Sequence, residues 1–223
     1  MSRKGWIVLG LVVALAAGGA WYFLSAPGES ATAADRPGGT GITAQDMTMG
    51  NPKAKVVFIE YAAPMCPHCA HFNNEILPEI KKTYIDTGKV FYVFRVFPIG
   101  APDGVAEKLA RCLPRSKYFP FMDRLFRTQQ EWDPEFGVQD VRGGILKQAK
   151  AEGMTEAQFD ACIADTKQDA VINQVASDGQ AKFNITGTPT IVVNGINVSP
   201  GMVPGVEEMK KFLDNALAGK NPA

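Results

Sequence analysis

Glu60-Tyr61-Ala62-Ala63-Pro64-Met65-Cys66-Pro67-His68-Cys69 is the stretch on which the fold turns. It begins inside an apolar run, Val56-Val57-Phe58-Ile59-Glu60-Tyr61, that stops at Ala-Ala-Pro. A run of that length, cut off by proline, reads as a buried strand with an abrupt end. A helix is expected to start at Cys66, because Pro67 suits the first helical position, where a missing N–H costs nothing. Cysteines at i and i+3 lie on one helix face, close enough to bridge. Cys66 then stands at the helix N-terminus and Cys69 one turn inside.

That placement carries chemistry. The thiolate is the form that attacks disulfides. Unsatisfied N–H groups and the macrodipole at a helix N-terminus favour the anion. His68, between the two cysteines, can add a hydrogen bond or a positive charge. Both effects should lower the Cys66 pKa. A stabilised thiolate stabilises the reduced form, so the Cys66–Cys69 disulfide should act as an oxidant. Zinc is the rival reading, with Cys66, Cys69 and His71 as ligands. His68 and His71 are the only histidines in the chain, and no second CxxC supplies the missing ligand. No metal is expected. A structural bridge without catalysis is the bland alternative, and it leaves the strand that delivers the pair to a helix start unexplained.

Downstream, Pro78 should kink or end the helix. Thr87-Gly88 closes that segment, and Val90-Phe91-Tyr92-Val93-Phe94-Arg95-Val96-Phe97 reads as a second buried strand. Strand, helix and strand make a βαβ unit with parallel strands. From Asp103 to about Phe183 the pattern turns helical, with stripes such as Val105, Leu109, Cys112 and Leu113, or Phe121, Met122, Leu125 and Phe126. Thr155-Glu156-Ala157-Gln158 has the form of a capping box, with Met154 and Phe159 placed as its hydrophobic staple. Strand character returns at Thr190-Ile191-Val192-Val193, and Asn194-Gly195 is a strong hairpin signal. A last amphipathic helix presents Val206, Met209, Leu213, Ala216 and Leu217. The second half therefore reads ββα.

The N-terminus points out of the cytosol. Arg3 and Lys4 precede an uncharged stretch, and residues 5–24 match the roughly twenty needed to span a bilayer. Charges before the span keep the short end cytoplasmic. An uncleaved anchor is the expectation. A cleaved signal peptide, with Ala31-Thr32-Ala33 as its small-x-small site, is the competing reading. The organisation read from the sequence is therefore 1–24 anchor or signal peptide, 25–45 flexible linker, 46–102 first half with the CPHC motif, 103–183 helical insert and 184–219 second half. Formal net charge is zero over 223 residues, which offers nucleic acid no electrostatic footing.

Four cysteines allow three pairings. With Cys66–Cys69 local, Cys112 and Cys162 remain, both on apolar helical stripes. A bond between them would close a loop of about fifty residues, worth about 4 kcal/mol in the chain-entropy model. An exported setting permits the bond; two unpaired core thiols are the alternative.

The residues quoted at the outset, with Gly187-Thr188-Pro189-Thr190 downstream, resemble the DsbA branch of the thioredoxin superfamily. The resemblance covers about residues 46–218. It implies an α/β thioredoxin fold, a mixed βαβ…ββα sheet with an inserted helical subdomain. It also implies an enzyme, a protein thiol:disulfide oxidoreductase without cofactor. By the resemblance, Cys66 is the exposed nucleophile, Cys69 the resolving cysteine, and Pro67 and His68 the dipeptide that tunes the couple. Pro189 matches the family's cis-proline facing the cysteines, and Thr188 would offer backbone groups to an extended substrate. Glu60 matches an acid buried beneath Cys69 that could relay its proton; a solvated strand-end carboxylate is the alternative. Asn73 stands where some members carry a helix acid. Phe72 reads as core. The expected activity is oxidation of reduced, unfolded, exported proteins on the periplasmic side of the inner membrane, by a monomer reoxidised by a DsbB-type quinone-linked membrane oxidase. A reductase or isomerase of the same fold, or a non-catalytic peptide-binding chaperone, are the alternatives.

Overall fold

The computed structural model describes residues 40–200 and 202–223. Five strands form one mixed sheet: β1 (Met47–Gly50), β2 (Val56–Ala62), β3 (Val90–Val96), β4 (Thr190–Val193) and β5 (Ile196–Asn197), in the order β1-β3-β2-β4-β5. The two long apolar runs are β2 and β3. They pair in parallel, Val57 opposite Phe91 and Ile59 opposite Val93, while β1, β4 and β5 each join antiparallel to their neighbours. Every residue of β2 and β3 is buried. Continuous burial explains why these strands read as unbroken apolar runs rather than as alternation.

Period-two alternation then sorts the core into two faces. Val56, Phe58, Tyr92, Phe94, Ile191 and Val193 face one hydrophobic cluster. Val57, Ile59, Tyr61, Val93 and Val192 face the other, closed by Phe183 and Ile185 with Val175 packed alongside. Glu60 lies on the first face by register, and Tyr61 on the second.

Helices cover both faces: α1 (Pro67–His71), α2 (Leu77–Ile80), α3 (Ala101–Cys112), α4 (Tyr118–Arg127), α5 (Val141–Ala151), α6 (Glu156–Ile163), α7 (Thr166–Phe183) and α8 (Val206–Leu217). The first face packs against α1 to α4 and α8, through side chains such as Phe72, Leu109, Phe121 and Leu213. Helix α7 covers the second. A Cβ at Gly179 of α7 would lie 2.6 Å from the Tyr61 ring, so only glycine allows the helix to sit this close to the sheet. The Asn194-Gly195 turn joins β4 to β5 with both residues at positive φ, 47° and 82°, as the tight hairpin requires. Thr155 and Gln158 form the reciprocal capping box at the start of α6, with Met154 and Phe159 both buried.

Three points refine the expectations. Of the two outcomes expected at Pro78, a kink or an end, the end does not occur. The chain stays helical to Ile85 by inserting two π-helical turns, Phe72–Ile76 and Lys81–Ile85, around α2. A π-turn just before proline leaves room for its ring and removes the need for its missing N–H. Second, residues 40–45, the end of the expected linker, are packed: Thr40 and Ile42 are buried and the carbonyls of Thr40 and Gly41 accept from Arg95. The packed chain thus extends to residue 40 at least. Third, β1 carries no strand signal in the sequence, because four edge residues, one buried, two half-buried and one exposed, give too short a pattern to read. The membrane anchor or signal peptide expected over residues 1–24 lies outside the described residues. Among the described residues, no helix is long and apolar enough to cross a membrane.

Candidate active site

Strand β2 runs out at Ala62, and a short turn closed by the Cys66 N–H to the Ala63 carbonyl, 3.0 Å, leads into α1. Pro67 takes the first helical position and Cys66 caps the helix from an extended conformation (φ −71°, ψ 118°). Its sulfur accepts from the Cys69 N–H at 3.4 Å. Cys66 keeps 5% of its surface and Cys69 none. Neither is bonded, so the structure shows the dithiol. The expected exposed nucleophile is instead buried, with only a small edge of Cys66 reaching solvent.

The two thiols are pushed in opposite directions. The neighbouring Cys69 thiol lowers Cys66 from 9.0 to about 6, against the cost of burial; the Thr188 side chain and the backbone N–H groups of Cys69 and His68 add to the lowering. Burial drives Cys69 well above its ordinary value, and the adjacent Cys66 and the charge of Glu60 push the same way. One sulfur is therefore anionic near neutral pH and the other holds its proton. His68 is exposed and contributes through its backbone amide. No hydrogen bond from its imidazole to Cys66 is found among the described residues, so of the two contributions expected of that side chain, a hydrogen bond or a positive charge, the first is not formed.

Opposite the cysteines, Thr188-Pro189 precedes β4, and the peptide bond between them is cis. The Thr188 carbonyl lies 3.3 Å from Cys66 Sγ, as acceptor for the thiol proton. Residues 122 positions apart in the chain are brought together because β4 pairs with β2, Tyr61 opposite Thr190. The Thr190 hydroxyl donates to the Gly187 carbonyl at 2.7 Å and tightens the turn.

Glu60 is buried, with 1% of its surface exposed, and is not a solvated strand-end carboxylate. Its Oε2 accepts from the Tyr92 hydroxyl at 2.6 Å, while Oε1 has no partner. Burial raises its pKa from 4.5 to about 7; the Tyr92 hydrogen bond opposes the rise and the Cys66 charge adds to it. A carboxyl with that pKa exchanges protons readily near neutrality.

Cys112, at the end of α3, and Cys162, in α6, are joined by a disulfide that ties two helices of the insert. Phe72 is core, edge-on to Phe58. Asn73 donates to Asp123 of α4 at 3.0 Å, so a carboxylate from the insert stands beside that position.

Sequence reasoning missed three residues. Tyr92 could have been found only by knowing the β2–β3 register. Asp103 accepts from the Met65 N–H at 2.8 Å, and Gln129 donates to the carbonyls of Pro64 and Cys66 at 2.7 and 3.1 Å. Asp103 had a local signal, its place at the third residue of a helix that follows Gly100; Gln129 had none.

Residues 43–215 match the thioredoxin family. A Rickettsia bellii protein named "Putative protein-disulfide oxidoreductase" is 32% identical over 184 residues, covering 78% of this chain and 69% of the relative. The chain spans between 61% and 69% of the length of the Rickettsia relatives it matches. Disulfide bond formation protein D of Bacillus subtilis is 28% identical over 181 residues, covering 77% of each chain. Among solved structures, that of alpha-DsbA1 from Wolbachia pipientis is similar with a TM-score of 0.70 and 27% identity, over 80% of this chain and 94% of that one.

Proposed function

The chain belongs to the thioredoxin family as a DsbA-like thiol:disulfide oxidoreductase, and from that premise we propose that it works in the oxidising direction, donating the Cys66–Cys69 disulfide to reduced proteins. The single observation that carries this reading is the split between the two thiols. Cys66 is held at the N-terminus of α1 with its thiolate stabilised, and Cys69 is buried with its proton retained. Stabilising the thiolate stabilises the dithiol and makes the disulfide a better oxidant.

The reaction balances with sulfur alone. A substrate thiolate attacks Sγ of Cys66, the Cys66–Cys69 bond breaks, and its electron pair leaves on Cys69. Cys69 takes up a proton, for which the Glu60 carboxyl, partnerless at Oε1, is the donor. The substrate is then joined to Cys66. A second substrate thiolate attacks the substrate sulfur, the substrate disulfide forms, and Cys66 departs as a thiolate. Its low pKa makes it a good leaving group. Thr188 and Pro189, against Cys66, are the proposed backbone contacts for the incoming segment, by strand addition beside β4. In the reverse half-cycle Glu60 accepts the Cys69 proton while a partner disulfide reoxidises the pair. We place this activity on the periplasmic side of the inner membrane, with reduced exported proteins as substrates and a DsbB-type membrane oxidase as electron acceptor.

The test uses the oxidised enzyme, a reduced unfolded protein and, in a separate arm, insulin with a thiol reductant. Oxidation of the first at a rate that Cys66→Ser abolishes supports the reading. Brisk insulin reduction with negligible oxidation would reverse the direction, and oxidation retained by Cys66→Ser would sink the mechanism.

A further inference from the structure

The helical insert grips the loop that carries the nucleophile, and it does so through two side chains that no step of the exchange requires. Asp103, wholly buried at the start of α3, accepts the Met65 N–H on Oδ1 at 2.8 Å. Its Oδ2 accepts the N–H groups of Ile99 and Gly100 at 2.9 and 3.0 Å. Gln129, 5% exposed, donates through Nε2 to the Pro64 carbonyl at 2.7 Å and the Cys66 carbonyl at 3.1 Å. Both acceptors are carbonyls, so only the NH₂ end of the amide can face them, and its orientation is settled. The Cys66 carbonyl also accepts the first helical bond, from the Ala70 N–H at 3.0 Å.

Three consecutive residues before α1 are therefore fixed by side chains from outside the loop: the carbonyl of Pro64, the N–H of Met65 and the carbonyl of Cys66. The grip is continued by packing. A Cβ on Gly100 would stand 2.9 Å from Met65 Sδ, so the loop held by Asp103 also presses on the residue before the nucleophile. Gln129 is held in turn, its own carbonyl accepting from the Asp133 N–H at 2.8 Å.

Fixing these carbonyls and this amide fixes the backbone of Cys66, and so where its sulfur points. The contact from Cys69 N–H to Sγ is 3.4 Å, and hydrogen bonds weaken steeply with misalignment. Donors stabilise an anion best when they are already in place. We infer that Asp103 and Gln129 are positioning residues that hold Cys66 Sγ over the N–H groups of α1, so that the insert, and not the CPHC motif alone, sets how stable the Cys66 thiolate is. The inference rests on the thiol–disulfide reading of the Cys66–Cys69 pair, but not on its direction.

The decisive variant is Gln129→Met, which keeps length and neutrality and removes the donor. Net charge is unchanged, so no ion–ion effect enters the shift at Cys66, and the second variant below separates geometry from the lost amide dipole. The Cys66 titration is read in the full chain from thiolate ultraviolet absorbance, and the dithiol–disulfide equilibrium from mixtures with glutathione. Expected is a rise of about half a unit to one unit in the Cys66 pKa, with the enzyme about three- to tenfold less oxidising against glutathione. Asp103→Asn is the second variant and carries the test if Gln129→Met does not fold. Removing a nearby negative charge would by itself lower the Cys66 pKa, so a rise in this variant is the signature of lost positioning. A lowered melting temperature with Cys66 titration and glutathione equilibrium unmoved in the variants would overturn the inference and leave a purely structural clamp. A wild-type Cys66 that titrates as an ordinary thiol would overturn both this inference and the proposed oxidase. Shifted variants of a wild type that reduces but does not oxidise would support the clamp while sinking the proposed direction.

Discussion

The Tyr92 hydroxyl donates to Glu60 Oε2 at 2.6 Å inside the sheet–helix core, and the other carboxyl oxygen has no partner there. One hydrogen bond does not offset the burial of a charge. Burial accordingly lifts the Glu60 pKa from 4.5 to about 7, against the Tyr92 bond and with help from Cys66. The folded state therefore holds this proton more tightly than the unfolded chain does. Its favourable contribution is fully present below pH 4.5 and is lost as pH rises to about 7. At most about 3 kcal/mol of stability is at stake, at 1.36 kcal/mol per unit. Glu60→Gln should remove that slope. Urea unfolding should find the reduced variant more stable than reduced wild type above neutrality, by about 2–3 kcal/mol, and nearly equal at pH 4.5. Asp103 and Glu107 are also raised by burial, so the difference between the two proteins, not the wild-type slope, isolates Glu60. Parallel curves for the two proteins would refute the assignment.

The opposed thiols make a kinetic prediction. In the reduced enzyme, alkylation by iodoacetamide should modify Cys66 alone under native conditions. Its rate should climb to half-maximum at a pH of about 6, the value to which the Cys69 thiol, Thr188 and the α1 amides bring it against burial. Cys69, buried and raised, should react only after unfolding. A profile centred near the ordinary 9.0 would show that the helix start does not stabilise the anion.

What the chain revealed before its structure follows from how local each signal is. Strands β2 and β3 were legible because burial on both faces leaves no polar interruption except Glu60 and Arg95, and both exceptions are paired inside the molecule. Pro67 after Cys66, the Asn194-Gly195 turn and the Thr155–Gln158 capping box were legible because each is written within a few residues. Which of its two expected effects Pro78 would have was not legible, because a π-turn is a backbone solution with no residue signature. Gln129 lies 63 residues from its Cys66 acceptor and Asp103 lies 38 from Met65, so neither contact leaves a local pattern. For His68 the sequence drew attention to the side chain, whereas its backbone amide is one of the donors that lower Cys66.

The Cys112–Cys162 bridge should matter for stability more than for exchange. It closes 50 residues of chain between α3 and α6. Constraining a loop of that size in the unfolded state is worth about 4 kcal/mol in the chain-entropy model. The double variant Cys112→Ala/Cys162→Ala should lose most of that in denaturant unfolding and retain the Cys66 titration. A loss below about 1 kcal/mol would mean that the helices of the insert are fixed by packing alone.

On the second sheet face, Arg95 ties residues 40–46 to β3. Its Nε and Nη2 donate to the two Asp46 carboxylate oxygens at 2.8 and 2.9 Å, and its remaining N–H groups reach the Tyr61 hydroxyl and the carbonyls of Thr40 and Gly41. Arg111 and Arg115 donate to the carbonyls of Gln45 and Asp46 from the insert. Arg95→Met should therefore do more than delete one ion pair, because it strands the buried Asp46 carboxylate and frees residues 40–46 together. The expected loss is about 3–5 kcal/mol, the cost of breaking a buried pair from one side. Asp46→Asn should be milder, since an amide can still accept from the guanidinium. The double variant should cost less than the sum of the singles by roughly 1–3 kcal/mol, as coupled neighbours do. Proteolysis in the native state gives an independent readout: cleavage within residues 40–46 should become fast in Arg95→Met and remain slow in the wild type. Additive losses, or an unchanged cleavage rate, would show that packing of Ile42, not the arginine, holds the segment.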